Sequence, residues 1–170
     1  VRLQAAYYLS LLNDRRAEAG IAKVRSASAR KRLAGARVTE IDTVWTVGPF
    51  DDLAAGFATI HPPQRGPVDL GAIFQTVSRQ LRWERYQQDP YFNFLERFGP
   101  ANGTSRYLYF RIHSSRRQQI LFLPGSDDGL QVWCNGKRVY DIDAVRAALP
   151  MQDDIYLTLQ AGSNDVLLRV

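Results

Sequence analysis

The sequence contains very little cysteine or histidine. Cys134 is the single cysteine among 170 residues, and one cysteine can form neither an internal disulfide, nor a CxxCH haem attachment, nor a cysteine-rich zinc site. Histidine occurs only at His61 and His113, and neither has a partner at the spacing of a zinc site or a catalytic triad. We therefore interpret both histidines as surface or loop residues and predict a chain without catalytic activity.

Long apolar runs and nucleotide-binding motifs are also missing. No stretch approaches the roughly 20 apolar residues that cross a bilayer as a helix, so no membrane span is predicted. The patterns GxGxxG, GxxxxGK[ST] and GxSxG do not occur, which argues against nucleotide binding and acyl transfer. The composition, 45% hydrophobic and 23% charged, is typical of a globular domain and excludes a disordered or collagen-like chain.

Positive charge is concentrated near the amino terminus. Residues 1–37 carry nine basic and two acidic side chains, a net charge of +7, whereas residues 38–170 carry 13 basic and 15 acidic side chains, a net charge of −2. Such an asymmetry is found in arms that attach to nucleic acid or membranes, and also in helices with a solvated basic face. Attachment of residues 1–37 to an anionic polymer is therefore one hypothesis, beside a solvated helix face.

The same amino-terminal segment is predicted to be a helical pair. Ala5, Leu9 and Leu12 recur at the helical spacing of four and three, and Gly35 is a candidate C-cap. The segment VRLQAAYYLSLL resembles a helix of a HEAT-type repeat, so the pair is interpreted as a repeat remnant or a packing appendage. Residues 1–37 are thus separated from a second domain, residues 38–170.

In residues 38–170 the hydrophobic period changes from helical spacing to two. Ile155, Leu157 and Leu159 alternate with Tyr156 and Thr158, as in a half-buried strand. The dipeptide Asn135-Gly136 favours a two-residue type I′ hairpin. These patterns predict a mainly β fold, an antiparallel jelly-roll β-sandwich preceded by the short helical pair. The eight predicted strands are Thr43–Val47, Gln80–Arg85, Tyr107–Ile112, Gln119–Leu123, Leu130–Cys134, Lys137–Tyr140, Ile155–Leu159 and Asp165–Val170, with a helical turn at Phe92–Arg97.

Paired acidic residues at turns are candidate metal ligands. Asp127-Asp128-Gly129 lies between two predicted strands, and calcium binds six to eight oxygen atoms, some of which neighbouring carboxylates can supply. Calcium is therefore the candidate ion, with Asp127 and Asp128 as its ligands and no other cofactor predicted in the chain. The alternative is a structural turn, because Asp and Gly are favoured there for local reasons.

Aromatic side chains are the candidate sugar-binding groups. Trp133 and Tyr91 are the candidate rings, because an exposed ring with polar groups around it can stack on the apolar face of a sugar, although most tryptophans in sandwiches pack in cores. Trp133 lies on the face opposite Val132 and Cys134, which places it outside the main core. Nucleic acid is not expected as a partner, because it requires aromatics in a basic groove, whereas these aromatics belong to the part of net charge −2.

Residues 125–140, GSDDGLQVWCNGKRVY, carry a family resemblance. They resemble the strand–turn–hairpin core of protective-antigen-like sandwich domains, and the portion VW-x-NGK-x-V is similar to galactose-binding-like modules attached to sugar-active enzymes. With WTVGPFDD, HPPQRGPVDL and IYLTLQAGSNDVLLRV, the chain resembles the sandwich module that follows HEAT-like helices in large secreted bacterial multidomain proteins, including c-type cytochromes and dehydrogenase-like proteins. The start at Val1 and the end at Val170 agree with a piece of a longer protein.

The resemblance implies a function and a site. It implies a non-catalytic, carbohydrate-binding-like recognition or docking module of a secreted or periplasmic protein, with carbohydrate or other protein domains as partners. Trp133, Tyr91 and Asn135 are the implied ligand-binding residues, and the calcium-dependent members of the family would place the ion at Asp127 and Asp128. The alternative is a structural spacer or subunit-contact domain of a larger redox or hydrolytic assembly, without a small-molecule ligand.

Overall fold

The computed structural model describes residues 2–4, 41, 43–87, 92–99, 102–148 and 151–170. These residues are mainly β, and all their strand pairings are antiparallel. The strands are β1 (Arg2–Gln4), β2 (Thr43–Asp51), β3 (Ile73–Gln75), β4 (Gln80–Arg82), β5 (Glu84–Gln87), β6 (Phe92–Asn93), β7 (Thr104–Ser114), β8 (Gln118–Phe122), β9 (Gly125–Ser126), β10 (Leu130–Cys134), β11 (Lys137–Ile142), β12 (Ile155–Leu159) and β13 (Gly162–Arg169). The helical elements are α1 (Phe94–Phe98) and two 3₁₀ turns, Leu53–Ala58 and Pro62–Gln64.

A six-stranded sheet organises the described chain, in the order β11-β10-β13-β7-β2-β5. Its longest pairing joins β13 to β7, from Gly162 opposite Ser114 to Arg169 opposite Tyr107. Smaller sheets have the orders β6-β1-β9, β12-β8 and β3-β4. Because paired residues in antiparallel strands point to the same side, this register decides which distant side chains share a face.

The first face of the six-stranded sheet packs against β8 and β12. The buried residues of β12 are Ile155, Leu157 and Leu159, whereas Tyr156 and Thr158 are exposed, so the alternation predicted for this strand is confirmed. Full burial of one such aliphatic side chain contributes about 1.5–3 kcal/mol. The sheet residues buried in this core are Val44, Tyr86, Leu108, Phe110, Leu130, Val132, Cys134, Val166 and Leu168.

The second face of the sheet has a separate hydrophobic core. Residues 52–83, which we call the covering segment, lie against one part of this face through Leu81 and Trp83 and through partly buried Val68, Leu70 and Phe74. The buried sheet residues in this second core are Val47, Phe50, Tyr107, Tyr109, Trp133 and Leu167. The six-stranded sheet is therefore packed on both sides, although the covering segment has little regular structure of its own.

The predicted strands and hairpin are largely confirmed. β10 and β12 have the predicted bounds, and Asn135 and Gly136 have φ values of 50° and 76°, as a type I′ turn requires. The predicted strand Gln80–Arg85 is divided, because β4 pairs with β3 whereas β5 pairs with β2. The helical turn predicted at Phe92–Arg97 becomes β6 followed by α1.

The predicted amino-terminal helix is wrong at its first residues. Arg2–Gln4 form β1, which pairs with β6 on one side and with β9 on the other. Pairing on both sides satisfies backbone groups that a helix would satisfy internally, so tertiary partners override the helical spacing. The rest of the helical pair predicted for residues 1–37 lies outside the described residues. None of the helices in the described chain is long and apolar enough to cross a membrane.

Candidate functional site

A row of side chains crosses the second face from one sheet edge to the other. The register places one residue from each of the six strands side by side, in the spatial order β5, β2, β7, β13, β10 and β11. We call this set the central row. It consists of Arg85, Trp45, Tyr109, Leu167, Trp133 and Arg138. Exposed arginines therefore occupy both edges of the row, and aromatic and aliphatic groups occupy its middle.

Under the covering segment, the second face contains a buried polar network centred on Arg169. The Arg169 side chain is fully buried, and its guanidinium donates to Asp52 Oδ1 at 2.7 Å and to Ser105 Oγ at 2.7 Å. It also donates to the main-chain oxygens of Phe57 and Thr59, both at 2.8 Å. Since these two carbonyls belong to the covering segment, Arg169 attaches that segment to the sheet.

His61 belongs to the same network: it lies in a loop, as predicted, but it is buried and not at the surface. The side chain is 6% exposed, and its Nε2 lies 2.7 Å from Asp52 Oδ1. Ser105 donates its hydroxyl hydrogen bond to Asp52. A nucleophilic serine requires a bond to the base itself, so these three residues do not have the order of a catalytic triad. His113, in contrast, is exposed as predicted.

Beyond the central row, away from the covering segment, lies an exposed ion pair. Arg111 Nε donates to Asp165 Oδ1 at 2.8 Å, and the two side chains are 60% and 43% exposed. The Tyr109 hydroxyl donates to the same oxygen at 2.5 Å, and the Arg111 guanidinium lies 5.7 Å from the centroid of the Tyr109 ring. We call this group, Tyr109, Arg111 and Asp165, the open-end cluster.

The protonation states in the open-end cluster follow from these contacts. Burial, together with the hydrogen bond to Asp165, raises the pKa of Tyr109 to about 12. Burial by itself raises the pKa of Asp165, but the hydrogen bonds from Tyr109 and Arg111 outweigh it and hold this pKa below its usual value. The cluster therefore consists of a carboxylate, a guanidinium and a neutral phenol at neutral pH.

Some polar atoms of the open-end cluster form no hydrogen bond within the described chain. Within that chain, Asp165 accepts side-chain bonds at Oδ1, and Arg111 donates to this oxygen from Nε and also interacts with the Tyr109 hydroxyl. Asp165 Oδ2 and the two terminal nitrogens of Arg111 are therefore available as an acceptor and as donors. Trp45, partly buried, lies beside Tyr109 in the next strand, within diagonal reach of Arg111, about 7–8 Å.

The structure describes two of the three residues predicted to bind a ligand, Trp133 and Asn135. Trp133 lies opposite Val132 and Cys134 and outside the first core, as predicted, but it is 8% exposed because the second core buries it. The Asn135 amide donates to Asn164 Oδ1 at 2.8 Å, and its oxygen accepts from the Asp165 main-chain nitrogen at 2.9 Å. Asn135 therefore fastens the hairpin beside the open-end cluster. Tyr91 lies outside the described residues.

The turn at Asp127 and Asp128 is bonded by an arginine. The main-chain nitrogen of Arg146 donates to Asp128 Oδ1 at 3.3 Å, and Arg146 Nε donates to the Asp128 carbonyl at 3.1 Å. The same guanidinium contacts both oxygens of Asp153, at 2.8 and 2.6 Å. A second cation here would be repelled by this guanidinium. The described residues contain no group of three or more histidine, cysteine or acidic side chains that could hold a metal; calcium at this turn stays a prediction.

The open-end cluster combines an exposed ion pair with polar atoms that have no partner in the described chain. It has a charged donor, a charged acceptor and a neighbouring indole, a combination suited to a polar ligand with an apolar face. Comparisons with protein-family models, with curated proteins and with solved structures found no match to this chain. In the open-end cluster, Asp165 is 54 residues from Arg111 and 56 from Tyr109 in sequence. No local sequence motif therefore points to this cluster.

Proposed function

We propose that this chain is a non-catalytic recognition module that binds carbohydrate at the open-end cluster. The observation that carries the proposal is the exposed Arg111–Asp165 pair, whose outer nitrogens and Oδ2 have no partner among the described residues. The proposal includes the fold, an antiparallel β-sandwich of jelly-roll type. It also includes the location, a secreted or periplasmic multidomain protein. The resemblance of residues 125–140 to galactose-binding-like modules is its support from sequence.

Sugar hydroxyl groups suit this cluster chemically. Each hydroxyl both donates and accepts hydrogen bonds, so adjacent hydroxyls can bond Asp165 Oδ2 and a terminal nitrogen of Arg111 at the same time. Bonds to charged partners are stronger than neutral ones. Since Arg111 and Asp165 hold each other in place, less side-chain freedom is lost on binding than for two isolated side chains. Trp45 offers an apolar surface for the C–H face of the sugar.

Binding of the full chain to soluble polysaccharides tests the proposal, by affinity electrophoresis and calorimetry. We expect Arg111→Ala and Asp165→Asn each to weaken binding about tenfold to 100-fold, the range for lost bonds to charged groups. Arg79→Ala is the matched control, because Arg79 is also exposed but lies on the covering segment. Melting temperatures exclude unfolding as the cause. Absence of binding to every polysaccharide, or equal binding by all variants, would contradict the proposal.

A subunit-contact or spacer function is the second candidate, and exposed apolar residues favour it. Ile60 and Ile73 are 59% and 52% exposed, and Val77 is fully exposed, all on the covering segment. Exposed aliphatic residues that form one patch are typical of contact surfaces, and Ile73 and Val77 belong to one hairpin, β3–β4. Sedimentation of the wild type and of Ile73→Thr/Val77→Ser distinguishes this candidate. It requires association that the double variant weakens, whereas the carbohydrate proposal requires no such effect.

A further inference from the structure

Charge is segregated along the strand direction of the six-stranded sheet. The end of β7, the β10–β11 hairpin and the start of β13 lie together, because Ser114 is opposite Gly162 and Cys134 is opposite Val166. We call residues 111–118, 134–138 and 160–165 the basic end. Its charged side chains are Arg111, Arg116, Arg117, Lys137, Arg138 and Asp165, so five cations accompany one carboxylate.

The opposite end of the same strands is acidic. Residues before β10 and β12, and the residue that follows β11, are at that end. They include Asp127, Asp128, Asp143, Asp153 and Asp154, which outnumber the one cation of the described chain that is bonded among them, Arg146. Because residues 38–170 together carry a net charge of −2, the positive potential of the basic end comes from the placement of charges and not from their total.

Three cations of the basic end have no counter-charge in the described chain. Arg111 pairs with Asp165, and Arg138 pairs with Asp141 at 2.9 Å. Arg116, Arg117 and Lys137 are exposed and form no ion pair with a described residue. The basic end can therefore attract an anion without first breaking an existing pair.

We propose that the ligand of this module is an acidic polysaccharide, a chain whose sugars bear carboxylate groups. This inference rests on the proposed function and names the class of ligand that the module binds. Along β7, Tyr109, Arg111 and His113 lie on one face and lead to the turn at Arg116 and Arg117. From Tyr109 to this turn the strand direction covers roughly 20 Å, which is long enough for several linked sugars.

The two parts of this surface have different tasks. The open-end cluster bonds hydroxyl groups at short range, whereas the cations of the basic end act on carboxylates further along the chain. Exposed charges are screened beyond about 8 Å at physiological salt, so the contribution of the cations must fall as salt rises. Asp165 Oδ2 distinguishes a glycan from nucleic acid, because it accepts bonds from hydroxyls, which sugars present densely and a phosphate backbone does not.

The test compares two probes with the same backbone, polygalacturonate and its fully methyl-esterified form. At low salt we expect the full chain to bind polygalacturonate at least about tenfold more tightly, because esterification removes the negative charges. The triple variant R116Q/R117Q/K137Q is expected to lose about tenfold in affinity for polygalacturonate. This loss corresponds to the summed binding free energies of three exposed ion pairs. Its affinity for the ester is expected to stay unchanged.

The amino-terminal cations require a matched control. R30Q/K31Q/R32Q removes the same number of positive charges from residues 1–37. We expect this variant to retain most of its affinity for polygalacturonate, whereas a loss as large as that of R116Q/R117Q/K137Q would overturn the assignment to the basic end. Melting temperatures of both variants verify that each is folded.

The outcomes separate this inference from the function on which it rests. Equal binding of both probes would overturn the acidic ligand class and leave the carbohydrate module standing. Binding of single-stranded DNA as tight as that of polygalacturonate would overturn the ligand class as well. Absence of binding to either probe and to neutral polysaccharides would overturn the carbohydrate function itself.

Discussion

At the scale of single residues, Arg169 joins parts of the chain that are far apart in sequence. Its guanidinium bonds Asp52, 117 residues earlier, together with Ser105 and two carbonyls of the covering segment. The Phe57 ring lies against this guanidinium, 4.3 Å from ring centroid to Cζ. The buried charge of Arg169 is tolerated because its guanidinium nitrogens have hydrogen-bond acceptors. Removal of the guanidinium would leave the buried carboxylate of Asp52 without the positive charge of Arg169.

Arg169→Met tests this role. The substitution retains much of the apolar volume but removes the countercharge of Asp52, and breaking a buried pair of this kind costs about 3–5 kcal/mol. We expect a loss of this size in the free energy of unfolding, measured with urea. The control is Arg85→Met, since Arg85 is exposed and forms no ion pair with a described residue; a change within about 0.5 kcal/mol is expected there. Equal losses in both variants would refute the argument.

At the scale of elements, the β10–β11 hairpin illustrates what can be predicted locally. Asn135 and Gly136 have the predicted positive φ, and β10 and β12 have the predicted bounds. These features depend on neighbours in sequence, either through turn geometry or through alternation. Arg2–Gln4 was mispredicted as helix for the opposite reason, because its strand partners are residues 92–93 and 125–126.

Gly136→Ala tests the requirement of this turn for a positive φ. A side chain at this φ of 76° costs about 1–2 kcal/mol, and no atom lies within 4 Å of the added Cβ, so the loss comes from the backbone alone. We expect the free energy of unfolding to fall by about that amount. Gly66→Ala is the matched control, because its Cβ also meets open space and its φ is not positive. A similar loss in both variants would argue against backbone strain.

At the scale of the whole molecule, three tyrosines from both ends of the sheet share one electrostatic property. Burial raises the pKa of Tyr109 and of Tyr140 to about 12, with hydrogen bonds to Asp165 and Asp153 contributing. Burial also raises the pKa of Tyr107. A tyrosine whose pKa is higher in the folded state stabilises the fold below the unfolded pKa of about 10, and that contribution is lost as pH rises through the folded pKa.

The protein is therefore expected to lose stability between about pH 10 and pH 12. In this range the unfolded state releases phenolic protons that the folded state retains. Urea unfolding at a series of pH values measures the decline, and Tyr109→Phe/Tyr140→Phe should make it shallower, because phenylalanine does not titrate. A decline of the same steepness in the double variant would contradict this assignment.

Much of the β structure was determined by sequence alone, because strand alternation, turn residues and the position of the hairpin are local properties. The candidate site was decided only by tertiary structure. Arg111 and Asp165 are 54 residues apart, and they meet because β13 pairs with β7 in one register; a shift of one residue would turn one of them to the other face. The second core that buries Trp133 likewise exists only where residues 52–83 fold back over the sheet.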